Sequence, residues 1–104
     1  MQKNNTSIGQ HLRILRKEKG HTLHQVAMEV DIDSPMLSKI ERGERFPTLE
    51  HIKKLSKYLK TSESYLIEML TAEKIIKEYG VKVTTYNAVK LVKEKISPYL
   101  KKNK

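Results

Sequence analysis

The stretch from Leu23 to Gly43, LHQVAMEVDIDSPMLSKIERG, constrains this chain more than any other. It holds two short apolar-striped segments with almost nothing between them. Thr22 stands before the first, and Gln25 follows three residues later, the pattern of a capping box. Leu23, Val26, Ala27 and Val30 make a helical stripe. Asp31-Ile32-Asp33 breaks it. Asp33 then caps a second helix, with Pro35 in the first turn, where a missing amide costs nothing. Leu37 and Ile40 face the core, and Gly43 ends the helix. So short a turn makes the helices cross closely, and close crossing demands a small side chain, which Ala27 supplies. Val26, Val30, Ile32, Leu37 and Ile40 set the crossing angle, so the second helix points its outer face away from the core. From Asp33 to Arg42 that helix spans ~15 Å at ~1.5 Å per residue. An element of that size fits a major groove ~12 Å wide.

The rest of the chain reads as helix too. Thr6 or Ser7 caps a helix from about Ile8 to Lys19, with Ile8, Leu12 and Leu15 on one face and Gly20 after its end. After the turn Glu44-Arg45-Phe46-Pro47, Thr48 caps a helix to about Lys60, striped by Leu49, Ile52, Leu55 and Leu59. Ser62 caps a fifth, carrying Leu66, Met69 and Leu70 and open to continuing through Ile76 and Tyr79 to Gly80. Val81 to Val83 is the one β-looking stretch, too short for a sheet. Thr84 or Thr85 opens a last helix with a stripe of Tyr86, Val89, Val92 and Ile96. Ser97-Pro98 is expected to end or kink it, with Tyr99 and Leu100 packing beyond. Lys101 to Lys104 is expected to fray. The predicted class is all-α: a five-helix domain over 1–70 and a helical extension over 71–104.

Composition narrows the function. The chain has 104 residues, 21 Lys and Arg against 12 Asp and Glu, and a net charge of +9. That charge favours a polyanionic partner. It is spread along the chain, +5 up to Lys60 and +4 beyond. With no Cys, disulfide scaffolds, thiolate zinc sites and Cys nucleophiles are excluded. No apolar run approaches the ~20 residues of a membrane span. Met1 to Ser7 lacks the apolar core of a signal peptide, so the expected location is the cytoplasm. No nucleophile with a base partner can be argued, so no catalytic residue and no enzyme activity is expected. His21 and His24 have metal-like spacing but no third ligand, and read as loop and cap residues. His11 and His51 read as isolated surface residues. No metal or cofactor is expected.

Residues 8 to 70 resemble the phage-repressor (Cro and Xre-like) helix-turn-helix family, whose domain is lambda-repressor-like. The matching elements are Ile8-Gly9-x-x-Leu12-x-x-x-Arg16, then Leu23-x-x-Val26-Ala27, then Leu37-Ser38-Lys39-Ile40-Glu41-Arg42-Gly43, then Pro47-Thr48-Leu49 and Leu55-Ser56-x-x-Leu59. The resemblance implies a five-helix DNA-binding domain that acts as a homodimer on near-palindromic operators. It implies base reading by the start and outer face of the third helix, here Ser34, Pro35, Ser38 and Lys39. Lys39 is the candidate for a guanine contact through O6 or N7. Ser34 and Ser38 suit a base or a phosphate. The amides around Thr22 and Leu23 lie at a helix N-terminus, which suits a phosphate. Arg42, Arg45 and His24 are further phosphate candidates. Arg16 and Glu41 resemble a pair that ties the first helix to the end of the third.

The chain departs from the family in two places. Asp31 holds a turn position usually given to Gly, and Asp is among the few residues that tolerate positive φ. Pro35 stands where a long polar reader is common and offers at most a thymine-methyl contact, so specificity leans on DNA shape as well. Lys53, Lys54, Lys57 and Lys60 read as a solvated face.

The extension carries three readings. It is a dimerisation element built on Tyr86, Val89, Val92 and Ile96, a cap on its own domain, or a source of nonspecific phosphate contacts. Dimerisation is favoured, since two-fold pairing doubles the contacts across half-sites ~34 Å apart. The expected function is a transcriptional regulator, a repressor or autoregulator, on double-stranded DNA. Within that class stand a restriction-modification controller and an antitoxin gripping a protein partner through its C-terminal helices. Outside it stands an interaction module that reads no DNA.

Overall fold

The computed structural model describes residues 6–102. Among them are six helices and no strand: α1 Ile8–Lys19, α2 Leu23–Val30, α3 Ser34–Glu41, α4 Leu49–Leu59, α5 Glu63–Tyr79 and α6 Val83–Lys102. They fall into two compact units, Met1–Glu73 and Lys74–Lys104.

Local capping sets the boundaries in the first unit. Ser7, not Thr6, caps α1, and Gln10 completes a capping box; Gly20 ends the helix at φ 81. Thr22 and Gln25 make the expected box on α2. Asp33 Oδ1 accepts from the Met36 amide at 2.7 Å and starts α3. Thr48 caps α4 with His51 as its box partner, so His51 is a cap residue and not an isolated one. Ser62 Oγ accepts from the Tyr65 amide at 3.1 Å at the start of α5.

The helices close around one core of Ile8, Leu12, Val26, Ala27, Val30, Ile32, Leu37, Ile40, Ile52, Leu55, Leu59, Leu66 and Leu70. Each buried Leu, Ile or Val contributes about 1.5–3 kcal/mol of apolar transfer. Leu15 and Met69 are partly buried against this core, and two stripe positions that open their helices lie at or beyond its edge. Leu49 is 61% exposed, because it opens α4 one turn beyond the edge of the core. Leu23, likewise the first residue of its helix, is half-buried.

Two close approaches aim α3. Ala27 is 3% exposed against it. On α1, a Cβ added to Gly9 would lie 2.3 Å from the Ile40 carbonyl oxygen and 2.8 Å from that of Glu41. The end of α3 therefore rests on bare α1 backbone. At the α2–α3 turn, Asp31 takes φ 57 and ψ 50, and its amide closes onto the end of α2. The expected tolerance of Asp for positive φ holds there.

In the second unit α6 begins at Val83, one residue before Thr84, so Val83 is helical. Pro98 neither ends it nor is followed by loop, which corrects the expected stop: the helix runs on to Lys102. The Ser97 hydroxyl donates to the Lys93 carbonyl at 2.9 Å. The Glu94 carbonyl, which Pro98 leaves without a donor, lies on an exposed residue where water serves. Tyr99 and Leu100 are exposed rather than packed. Lys101 is helical, which corrects the expected fraying there; residues 103–104 lie outside the described ones. No helix among the described residues is long and apolar enough to cross a membrane.

Candidate nucleic-acid interface

The candidate interface is the surface formed by the first turn of α2 and the outer face of α3. Leu37 and Ile40, each 1% exposed, pin α3 by its inner stripe. The helical period then turns Pro35 and Lys39 outward, both exposed, with Ser34 and Ser38 half-buried beside them. Arg42 and Arg45 follow in the turn after α3, also exposed.

The α2 N-terminus is narrower as a donor site than the sequence indicates. The Thr22 amide donates to Gln25 Oε1 at 2.7 Å, and the Gln25 amide to Thr22 Oγ1 at 3.1 Å. The open donors of this first turn are therefore the amides of Leu23 and His24. They sit at the positive end of the helix dipole, where an anion is favoured. His24 Nδ1 shares a hydrogen bond of 3.0 Å with Ser34 Oγ. Two residues expected to contact DNA separately are thus one joined pair bridging the starts of α2 and α3.

A buried pair holds this surface in place. Arg16 Nε donates to Glu41 Oε2 at 2.8 Å and Nη2 to Oε1 at 3.0 Å, a two-pronged contact with side-chain exposures of 10% and 6%. The Glu41 carboxylate raises the Arg16 pKa by hydrogen bonding and charge, against a smaller lowering by burial. The third prong, Nη1, donates to the His21 carbonyl at 3.0 Å. One guanidinium therefore ties α1 to the end of α3 and to the turn that leads into α2. The structural role expected for Arg16 and Glu41 is what the geometry shows. His21 is the loop residue expected; its Nδ1 is hydrogen-bonded to the Tyr58 hydroxyl. The Lys19 ammonium lies 5.1 Å from the centroid of the Tyr58 ring.

Arg42 is already engaged. Its Nε and Nη2 donate to Glu44 at 2.8 and 3.1 Å, and Nη1 donates to Ser38 Oγ. The pairing raises the Arg42 pKa and lowers that of Glu44. Glu44 has no role in the sequence reading, and no periodicity or spacing singles it out. Glu73 is also new: its carboxylate accepts from the Ile8 amide at the start of α1. Burial pushes its pKa up, and that hydrogen bond offsets part of the rise. Among the described residues no cluster of three His, Asp or Glu side chains could hold a metal ion.

A family model described as helix-turn-helix matches residues 12–66, more than half of the chain. The chain belongs to this helix-turn-helix family. The family is one of transcriptional regulators and not of enzymes. The HTH-type transcriptional regulator SlrR of Bacillus subtilis (strain 168) is 39% identical over 72 residues. That match takes in 68% of this chain and 45% of SlrR, so the chain spans under half the length of this relative. A crystal structure of SinR, a master regulator for biofilm formation, in complex with DNA superposes with a TM-score of 0.55 at 34% identity. It covers 58% of this chain and 97% of its own. A complex of the SinR and SinI proteins gives a TM-score of 0.56 at 25% identity, over 88% of this chain and 98% of its own.

Proposed function

We propose that this chain is a sequence-specific DNA-binding regulator of transcription, a repressor or autoregulator, that acts in the cytoplasm on a near-palindromic operator as a homodimer. One observation carries the reading: α3 is held by three sets of contacts, the buried Leu37 and Ile40 along its inner stripe and Gly9 and the Arg16–Glu41 pair at its end, and its exposed face carries Lys39. A rigid helix with an outward cation is what major-groove reading requires. The solved relative in complex with DNA supports it.

In this reading Ser34, Pro35, Ser38 and Lys39 face base edges. The Leu23 and His24 amides, with Thr22 beside them, grip a phosphate. His24 presents its second ring nitrogen to the backbone, and Arg45 adds a cation. Arg42 belongs to the same surface through Ser38. The extension supplies the two-fold contact: Tyr86, Val89, Val92 and Ile96 are 45–67% exposed on α6. That stretch is a large apolar surface for a single helix to leave in water. The same face suits a protein partner, a second reading supported by the protein–protein complex that covers 88% of this chain.

Selection of bound sequences from random duplex DNA at two salt concentrations tests the proposal. The expected product is an inverted repeat with half-sites about one helical turn apart. Lys39→Ala is then expected to relax one position in each half-site, at about 1–3 kcal/mol of discrimination. No enrichment, with binding lost uniformly as salt rises, would refute operator reading and leave only nonspecific attraction.

A further inference from the structure

The Arg42–Glu44 pair is out of place as a stabilising device. Both side chains are 54% exposed, and exposed pairs contribute ~0–1 kcal/mol. Its geometry is nonetheless that of a fork on a carboxylate, with two parallel N–H donors at 2.8 and 3.1 Å. The backbone brings the two together. Gly43 takes φ 79, and the Glu44 amide closes onto the Lys39 carbonyl at 2.9 Å, returning the chain over the end of α3. The remaining prong of Arg42 reaches Ser38, one turn back on the face that carries Lys39.

Two consequences follow from donor and acceptor counting. Ser38 Oγ accepts from Arg42, so its own O–H is the group left to donate outward. That proton suits an acceptor such as O6 or N7 of guanine, N7 of adenine or O4 of thymine, while the one lone pair that Arg42 leaves open still accepts from an amine such as N4 of cytosine. The Arg42 charge, meanwhile, is matched by a carboxylate at hydrogen-bond distance. A phosphate has to displace Glu44 to reach it, and Lys39 is the exposed cation that α3 offers.

We propose that Glu44 is a specificity-determining residue of the DNA face: by clamping the Arg42 guanidinium onto Ser38 it fixes the orientation of the Ser38 hydroxyl towards the groove and withholds Arg42 from nonspecific phosphate binding. Glu44 is a positioning residue here, acting through Arg42. The inference rests on the reading of α3 as the DNA-contacting helix.

The test uses the full chain as wild type, Glu44→Gln, Arg42→Gln and the double variant. Each is titrated with the selected duplex and with a scrambled duplex, at salt concentrations threefold apart. Glu44→Gln frees one cation per subunit, and each phosphate neutralised adds about −0.9 to the log–log salt slope. The expected result is a further loss of about threefold in affinity per subunit across that salt step. Scrambled DNA binds more tightly at the lower salt, the ratio of selected to scrambled affinity narrows, and the preference at the base facing Ser38 weakens. The double variant returns to the wild-type slope. An unchanged slope and unchanged base preference in Glu44→Gln would overturn the clamp. A steeper slope that persists in the double variant would overturn it too, since Glu44 would then act by its own charge. If wild type fails to distinguish the selected duplex from the scrambled one, the operator reading itself fails and takes this inference with it.

Discussion

Gly9→Ala sets two physical effects against each other with opposite signs. Gly9 lies in the first turn of α1. On helix propensity alone, alanine there stabilises by up to about 1 kcal/mol. Tertiary contact argues the reverse. The new methyl would sit 2.3 Å from the Ile40 oxygen and 2.8 Å from the Glu41 oxygen, where ordinary contact begins near 3.4 Å. Relief requires a shift of about 1 Å between α1 and α3, because backbone carbonyls cannot rotate away as a side-chain tip can. The Ile40 carbonyl is also committed to the Gly43 amide at 3.1 Å, and Glu41 is held by Arg16. Overpacking a tight contact costs about 1–3 kcal/mol, occasionally more. With two backbone oxygens struck, the upper end applies, and the net expectation is a loss of about 2 kcal/mol. For a domain of this size that lowers Tm by roughly 10 °C. Paired thermal and urea melts of wild type and Gly9→Ala measure it. Because α3 is the element displaced, operator affinity is expected to fall even at temperatures where the variant is folded. A Tm equal to or above that of wild type would refute the close-approach argument and leave propensity in command.

Arg16→Met leaves the Glu41 carboxylate buried without its partner and the His21 carbonyl without a donor. A loss of about 3–5 kcal/mol is expected, and Arg16→Met with Glu41→Leu should recover most of it; a single-variant cost below about 1 kcal/mol in urea melts would contradict the burial. Glu73 gives a pH dependence. Its native pKa is raised by burial, so the folded state holds the proton more tightly than the unfolded chain. Its stabilising contribution is complete below the unfolded carboxylate pKa, near 4.5, and is lost as pH rises through the raised native value. Melting wild type and Glu73→Gln across that window should show the wild type losing stability relative to the variant as pH rises. A constant difference would exclude the linkage.

The parts of the fold legible in the sequence are those whose causes lie within a few residues. Thr22 with Gln25 and the Asp33 cap on α3 are contacts three residues apart; the Thr48 cap was legible in the same way, but not His51 as its partner. Asp31 marked the turn through its own conformational tolerance. Arg16 and Glu41 were legible only through resemblance, since nothing local pairs residues 25 apart. Pro98 shows a local rule overridden: an exposed helix hands the orphaned carbonyl to water and continues. His24 and Ser34 were each legible as polar residues at a helix start, but not as partners.

By itself, then, the sequence determined that the described residues form helices without a strand, where the first five helices begin, most of the stripe positions that form the core and which short helix turns its face outward. These follow from backbone hydrogen bonds and apolar periodicity, both short-range. The tertiary structure alone decided how the face is presented. Gly9 on α1 admits the end of α3, Arg16 reaches Glu41 across 25 positions, and Glu73 reaches the Ile8 amide across 65. Each depends on the distance between atoms that chain order leaves apart. A hydrogen bond or a steric contact is decided within a few tenths of an ångström, and only the packed core fixes positions to that tolerance.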